Sequence, residues 1–252
     1  MAEPLLVRRE GAVLTLALNR PDKRNALSAE LIGRLADALD AADLDSDVRV
    51  VVLRGEGRDF CAGADLAELL ASAGREISEN EADALRLGEV FLRIRRLPKP
   101  VVAAVHGSAL AGGCGLATAC DIVVAAETAR FGYPEIQRGF VPAMVLAILR
   151  RLVGERVAFD LVGTGRVLTA SEAAGLGFVS RLAPEAELDR VLASVVGPLA
   201  GGSVTAMALT KKLLYELDGR EFEEGIRLGA RVNAIARTTP DFRERIDQFL
   251  SR

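Results

Sequence analysis

The chain of 252 residues holds one histidine, no tryptophan, three cysteines and no apolar run of bilayer-spanning length. Each scarcity removes a class of function. With His106 alone, no zinc site with two histidine ligands can form, and a Ser-His-Asp triad would have to use that residue. His106 closes an apolar strand, a position that favours a structural role. Nine Phe and two Tyr, with no Trp, make stacking on bases a poor basis for function. The net charge of −3 lacks the basic excess of a nucleic-acid binder. A membrane partner is not expected either, because a spanning helix needs about 18 or more consecutive apolar residues. Cys61, Cys114 and Cys120 lie in apolar or glycine-rich stretches, as reduced, buried thiols of a cytoplasmic protein would. The opening MAEPLLVRREG leads into a strand with no charged-then-apolar leader. No metal site is expected.

What is present is ample apolar material: half of the residues, with an ordinary charged share of 27%. That suits a sizeable α/β core. Residues 11–19 read as a strand, and Ser28 as the N-cap of a helix with Leu31, Leu35 and Leu39 on one face. Residues 48–53 (VRVVVL) read as a strand covered on both faces. Asp65 with Glu68 resembles a capping pair at the next helix start. The polar segment 72–83 reads as a loop or loose helix, and 85–97 as an amphipathic helix stopped by Pro98 and Pro100. A short strand is expected at 178–182, and helices dominate from there on. The expected organisation is an α/β core over 1–190 and a helical region over 191–252.

The stretch 99–143 is central. A strand at 101–105 enters a small-residue turn, then an apolar helix from about Gly113, a strand at 122–126, and Glu135 between Pro134 and Ile136. Gly112-Gly113 and the earlier Gly63-Ala64 each set backbone N–H groups at a helix start, where they lack intrahelical partners and meet a positive dipole. Two such donors converging would stabilise an oxyanion. Either turn alone is explained as well by tight strand–helix packing. Glu135, flanked by Phe131, Pro134 and Ile136, would be partly desolvated and raised toward the range of a general base; on local sequence alone it also reads as a turn glutamate.

Together these features resemble the crotonase superfamily, the enoyl-CoA hydratase/isomerase group. The resemblance rests on LNRPDKRNALS at 18–28, DFCAGADLAEL at 59–69, KPVVAAVHGSALAGGCGLATACDIVVAAE at 99–127 and FGYPEIQRGFVPA at 131–143, with LTASEAAGLGFVSRL at 168–182 as a weaker match. It implies a spiral core of ββα turns with a helical C-terminal trimerisation region, assembled as a homotrimer or homohexamer. It puts the oxyanion-hole N–H groups on Ala64 and Gly112 and the catalytic acid on Glu135. Arg24, Ala26, Ala62, Asp65, Leu66, Gly113, Gly115 and Pro134 would line the acyl-CoA site. Coenzyme A enters as part of the substrate, and no separate cofactor is implied.

Three departures stand out. Family hydratases carry a first glutamate where this chain has Gly115, and a CoA-contacting lysine where it has Ala67. The segment after Glu135 runs GFVPAMVLAILRRL instead of a glycine-rich stretch. A single carboxylate suits a proton shuttle, so the expectation is double-bond isomerisation or an atypical hydration with Glu135 as sole acid/base. Glu68, Glu76, Glu79 and Glu81 are candidates to replace the missing acid. The alternative is a non-catalytic acyl-CoA-binding homologue.

Overall fold

A computed structural model describes residues 3–251. The chain opens with strands β1 (Leu5–Glu10) and β2 (Val13–Leu18), an antiparallel hairpin. The single strand expected at 11–19 therefore begins later, because Gly11 takes a φ of 56° and turns the chain. Helix α1 (Ala29–Leu44) follows, with the Ser28 hydroxyl accepting from the Leu31 N–H and Leu31, Leu35 and Leu39 buried. Next come β3 (Val50–Gly55), α2 (Leu66–Ala71), α3 (Ile77–Arg96), β4 (Val101–Val105), β5 (Ser108–Leu110), α4 (Gly112–Ala119), β6 (Ile122–Ala126) and β7 (Arg130–Gly132).

Of the two alternatives for 72–83, loop or loose helix, the helix holds from Ile77. The Glu76 N–H donates to the Glu79 carboxylate at 3.1 Å and closes a capping box there. Behind its polar face, α3 buries Leu87, Val90, Phe91 and Ile94. The remaining core elements are α5 (Ala143–Leu152), α6 (Glu155–Thr164), β8 (Val167–Thr169), α7 (Ala170–Gly175) and β9 (Arg181–Ala183). The late strand thus starts at 181, three residues beyond its expected start.

Two sheets result. The larger has the order β1-β2-β3-β4-β6-β9 and is parallel from β2 onward; the smaller is β5-β7-β8. One face of the large sheet meets α1, α3 and α4 in the main apolar cluster. The other packs Val50, Val52, Val102 and Val124 against Leu188, Leu192 and Val196 of α8 (Leu188–Gly201). Cover on both faces explains why these strands are almost wholly apolar.

The chain ends in α9 (Val204–Glu216), α10 (Phe222–Arg237) and α11 (Pro240–Leu250). Among these three helices the one buried residue is a cation, Lys211. Its ammonium donates to the carbonyls of Ile94 at 2.8 Å and Lys99 at 2.9 Å, and lies 2.7 Å from an Asp121 carboxylate oxygen. The other Asp121 oxygen accepts from the Tyr215 hydroxyl at 2.8 Å. Burial lowers the Lys211 pKa, and Asp121 opposes that shift. Apolar side chains on the outer helices stay uncovered, with Phe222 at 84% and Phe249 at 72% exposure. Among the described residues no single helix is long and apolar enough to cross a membrane.

Candidate active site

The loop 20–27 and the segment 59–65 are stitched together around Ala64. Arg24 and Asn25 take left-handed φ values of 53° and 55°, which non-glycine residues rarely adopt. Asn25 holds this turn by accepting from the Arg20 N–H at 2.8 Å and donating to the carbonyls of Glu56 and Asp59. The turn then meets the later segment through Ala62 N–H to Arg24 C=O at 3.0 Å, Leu27 N–H to Gly63 C=O at 2.8 Å and Asp65 N–H to Leu27 C=O at 3.1 Å. This parallel bridge uses the groups on either side of Ala64. The Ala64 N–H has no acceptor among the described residues.

Two ion pairs brace the same junction, Arg20–Asp65 and Arg24–Asp59, each at 2.8 Å. Asp59 is 4% exposed. Burial by itself would raise its pKa, but hydrogen bonds from Arg24 and Ser108 and the Arg24 charge hold the carboxyl well below the usual range. Asp65 caps α2 by accepting from the Ala67 N–H at 3.1 Å. Its expected capping partner acts elsewhere: the Glu68 carboxylate accepts from the Ala29 N–H at 2.8 Å, serving the start of α1.

The second helix start is set by volume. A Cβ on Gly113 would lie 2.3 Å from the Cys61 carbonyl oxygen, so only glycine lets α4 sit this close to the 59–65 segment. Ala111, before the helix, takes a φ of 52°. A Cβ on Gly63 would come within 3.3 Å of the Gly112 nitrogen, which places the two helix starts side by side. The Gly112 N–H also lacks an acceptor among the described residues.

The Ala111 N–H donates to the Gly132 carbonyl at 2.8 Å, fixing the end of β7 beside the start of α4. The chain then enters a short 3-10 helix, Pro134–Arg138, in which Pro134 and Glu135 are buried. Glu135 is 8% exposed, and its Oε2 is buried with no hydrogen-bond partner. Burial raises its pKa above the ordinary carboxylate value, opposed by a bond to its own backbone and by Arg138. Of the apolar residues that flank it in sequence, Phe131 is buried, whereas Ile136 is 48% exposed.

Of the other positions singled out, Arg24, Ala26, Ala62, Asp65 and Leu66 surround the Ala64 junction, and Leu66 is exposed. Gly113 and Gly115 face protein atoms. A Cβ on Gly115 would lie 2.3 Å from Cγ1 of Val145 and 3.2 Å from Cζ of Phe91. Three of the four candidate substitute acids are otherwise engaged, Glu68 at the start of α1 and Glu76 and Glu79 in the α3 capping box, and the fourth, Glu81, is exposed on α3. His106 donates from Nε2 to the Gly57 carbonyl at 2.9 Å, away from this junction. Sequence reasoning missed Arg20, Asp59 and Val145. Arg20 and Asp59 act through partners 45 and 35 residues away, and no local pattern signals such a pairing.

Comparison with known proteins yields concordant matches. The enoyl-CoA hydratase/isomerase family model matches residues 8–252. A Thermus thermophilus protein with the provisional name enoyl-CoA hydratase is 45% identical over 96% of each chain. The 2,3-dehydroadipyl-CoA hydratase of Escherichia coli is 35% identical over 98% of this chain and 96% of its own. The crystal structure of an enoyl-CoA hydratase from Mycobacterium smegmatis superposes with a TM-score of 0.94 at 35% identity, covering 98% of this chain and 96% of that one.

Proposed function

The chain belongs to the enoyl-CoA hydratase/isomerase family, and from that premise we propose that it acts on an acyl-CoA thioester through a stabilised enolate. The thioester oxygen accepts from the Ala64 and Gly112 N–H groups, each at a helix start. A donor placed this way contributes about 3 kcal/mol to lowering the barrier. The Glu135 carboxylate takes the proton from the α-carbon, and negative charge passes to the held oxygen. The Glu135 acid then returns the proton at the γ-carbon, so the double bond moves and no atom is gained or lost. Arg24, Ala26, Ala62, Asp65 and Leu66 border the path of the CoA moiety. Arg24 faces it already paired with Asp59, so the helix starts carry more of the positive potential than the arginine does.

The observation that carries this reading is one buried carboxylate with a free oxygen and a raised pKa, three residues after a strand end bonded to the start of α4, together with two unpartnered N–H donors at helix starts. Raised basicity suits a group that must both take and release a proton. Hydration is the second reading, favoured by relatives named as hydratases. The two part in a direct assay. Wild type is expected to interconvert 3-enoyl- and 2-enoyl-CoA and to exchange the α-proton of an acyl-CoA in deuterated water. Glu135→Gln is expected to lose both. Exchange that persists in Glu135→Gln sinks the role of Glu135, and hydration of crotonyl-CoA at about 10 per second or faster overturns isomerisation as the main reaction.

We also propose that the chain assembles as a homotrimer or homohexamer through the apolar faces of α10 and α11, which leave Phe222, Ile226 and Phe249 uncovered. Light scattering at micromolar concentration reads the mass directly, and a monomer would end that proposal. A cytoplasmic setting is supported by three buried, unpaired thiols.

A further inference from the structure

Gly112 and Gly115 lie one turn apart on the same face of α4. In a helix the Cα–Cβ bond tilts toward the N-terminus, so the space above Gly115 leans back toward the Gly112 N–H. That space is filled by Val145 of α5, whose Cγ1 stands 2.3 Å from where a Gly115 Cβ would be, with Phe91 behind it. Beside Gly112, Leu87 and Leu27 stand 3.3 and 3.5 Å from where its Cβ would be. All four side chains are apolar and buried. A water held in place needs two to four polar partners, and this wall supplies none.

We propose that Val145 is the residue that selects proton return over water addition, by walling off the carbons next to the Gly112 donor. This rests on the proposed acyl-CoA reading of the same site. Water addition breaks an O–H bond of water and the π bond between the α- and β-carbons, and forms a C–O bond at the β-carbon and a C–H bond at the α-carbon. Proton return breaks one C–H bond and forms another, with Glu135 holding the proton in between. Val145 opposes the first route because it occupies the approach with a methyl group, leaving Glu135 nothing to activate except the substrate.

The test is a product ratio. A six-carbon 3-enoyl-CoA is given to wild type, Val145→Thr and Val145→Ala, and the yields of 3-hydroxyacyl-CoA and 2-enoyl-CoA are compared. Val145→Thr keeps nearly the same volume and adds a hydroxyl that can hold water; its hydroxyacyl fraction is expected to rise about tenfold or more. Val145→Ala gives a smaller rise and guards against misfolding of the first variant. Leu146→Ala removes bulk from the same helix at an exposed position and leaves the ratio unchanged. An unaltered ratio in both folded Val145 variants overturns the proposal while the acyl-CoA reading stands. Isomerisation that survives Glu135→Gln overturns that reading, and the role of Val145 with it.

Discussion

The N–H groups of Ala64 and Gly112 belong to neighbouring helix starts and are held by opposite means. Ala64 sits in a polar lattice: two ion pairs, a left-handed Arg24-Asn25 turn and an N-cap from Asp65. Gly112 opens a helix whose remaining residues are all buried, with no side-chain cap and no charge. The first position is set by directional bonds that charge and salt can loosen. The second is set by excluded volume and responds only to changes in size. A pair of donors built in two ways can therefore be perturbed one at a time.

The largest effect is expected on the apolar side. Gly113→Ala drives a methyl group into the Cys61 carbonyl, so backbone must move; a loss of about 3 kcal/mol or insoluble expression should follow. Gly112→Ala meets the flexible ends of Leu87 and Leu27, with the backbone Cα of Gly63 4.0 Å away, and should cost about 1 kcal/mol. Equal denaturation midpoints for the two variants would show that volume does not set this helix.

On the polar side, Arg20→Met strips Asp65 of its partner in a pair that is 21% and 14% exposed. Such a pair falls between surface and buried limits, so about 2 kcal/mol is expected, read by urea unfolding. Combining it with Asp65→Asn should cost less than the sum of the single changes, because the two residues share one interaction. Strict additivity would mean the pair does not brace the junction.

Glu135 belongs to neither scheme and responds to pH. Its folded pKa lies above the unfolded value, so the folded state binds more protons across that window and loses stability as pH rises through it. Glu135→Gln should therefore raise Tm at neutral pH, with the gain fading below about pH 4, while abolishing proton exchange. A lower Tm at pH 7 would contradict the raised pKa. The smallest effect is that of salt: raising NaCl toward 1 M should narrow the gap between Arg20→Met and wild type by a few tenths of a kcal/mol, and leave that of Gly112→Ala unchanged.

This contrast also explains how much of the molecule is legible in its sequence. The apolar half of the site is local: glycine turns, an all-apolar helix and a lone acid after proline announce themselves within a few residues. The polar half is assembled from contacts such as Arg20–Asp65 and Glu68–Ala29, which join distant segments and leave no periodic trace. Glu68 three residues after Asp65 has the spacing of a capping pair, yet tertiary folding lends it to another helix. The first turns of α3 are hidden because, over 77–83, Ile77 is the one large apolar residue. The second sheet leaves little sequence signal because its strands are three residues long. Val145 looks like ordinary helix filling, and its meaning depends on which glycine it covers.

Lys211 has a consequence for anyone who would shorten this protein. Its helix buries no other residue and looks removable, yet one ammonium group answers Asp121 and closes two carbonyls at the end of α3 and the entry to β4. Deleting residues 203–252 would leave the Asp121 carboxylate without its counter-charge, at a cost of about 3–5 kcal/mol. That is a large fraction of what usually keeps a domain folded. The minimal folding unit therefore extends past α8, and a boundary drawn from apolar contacts alone would fall too early.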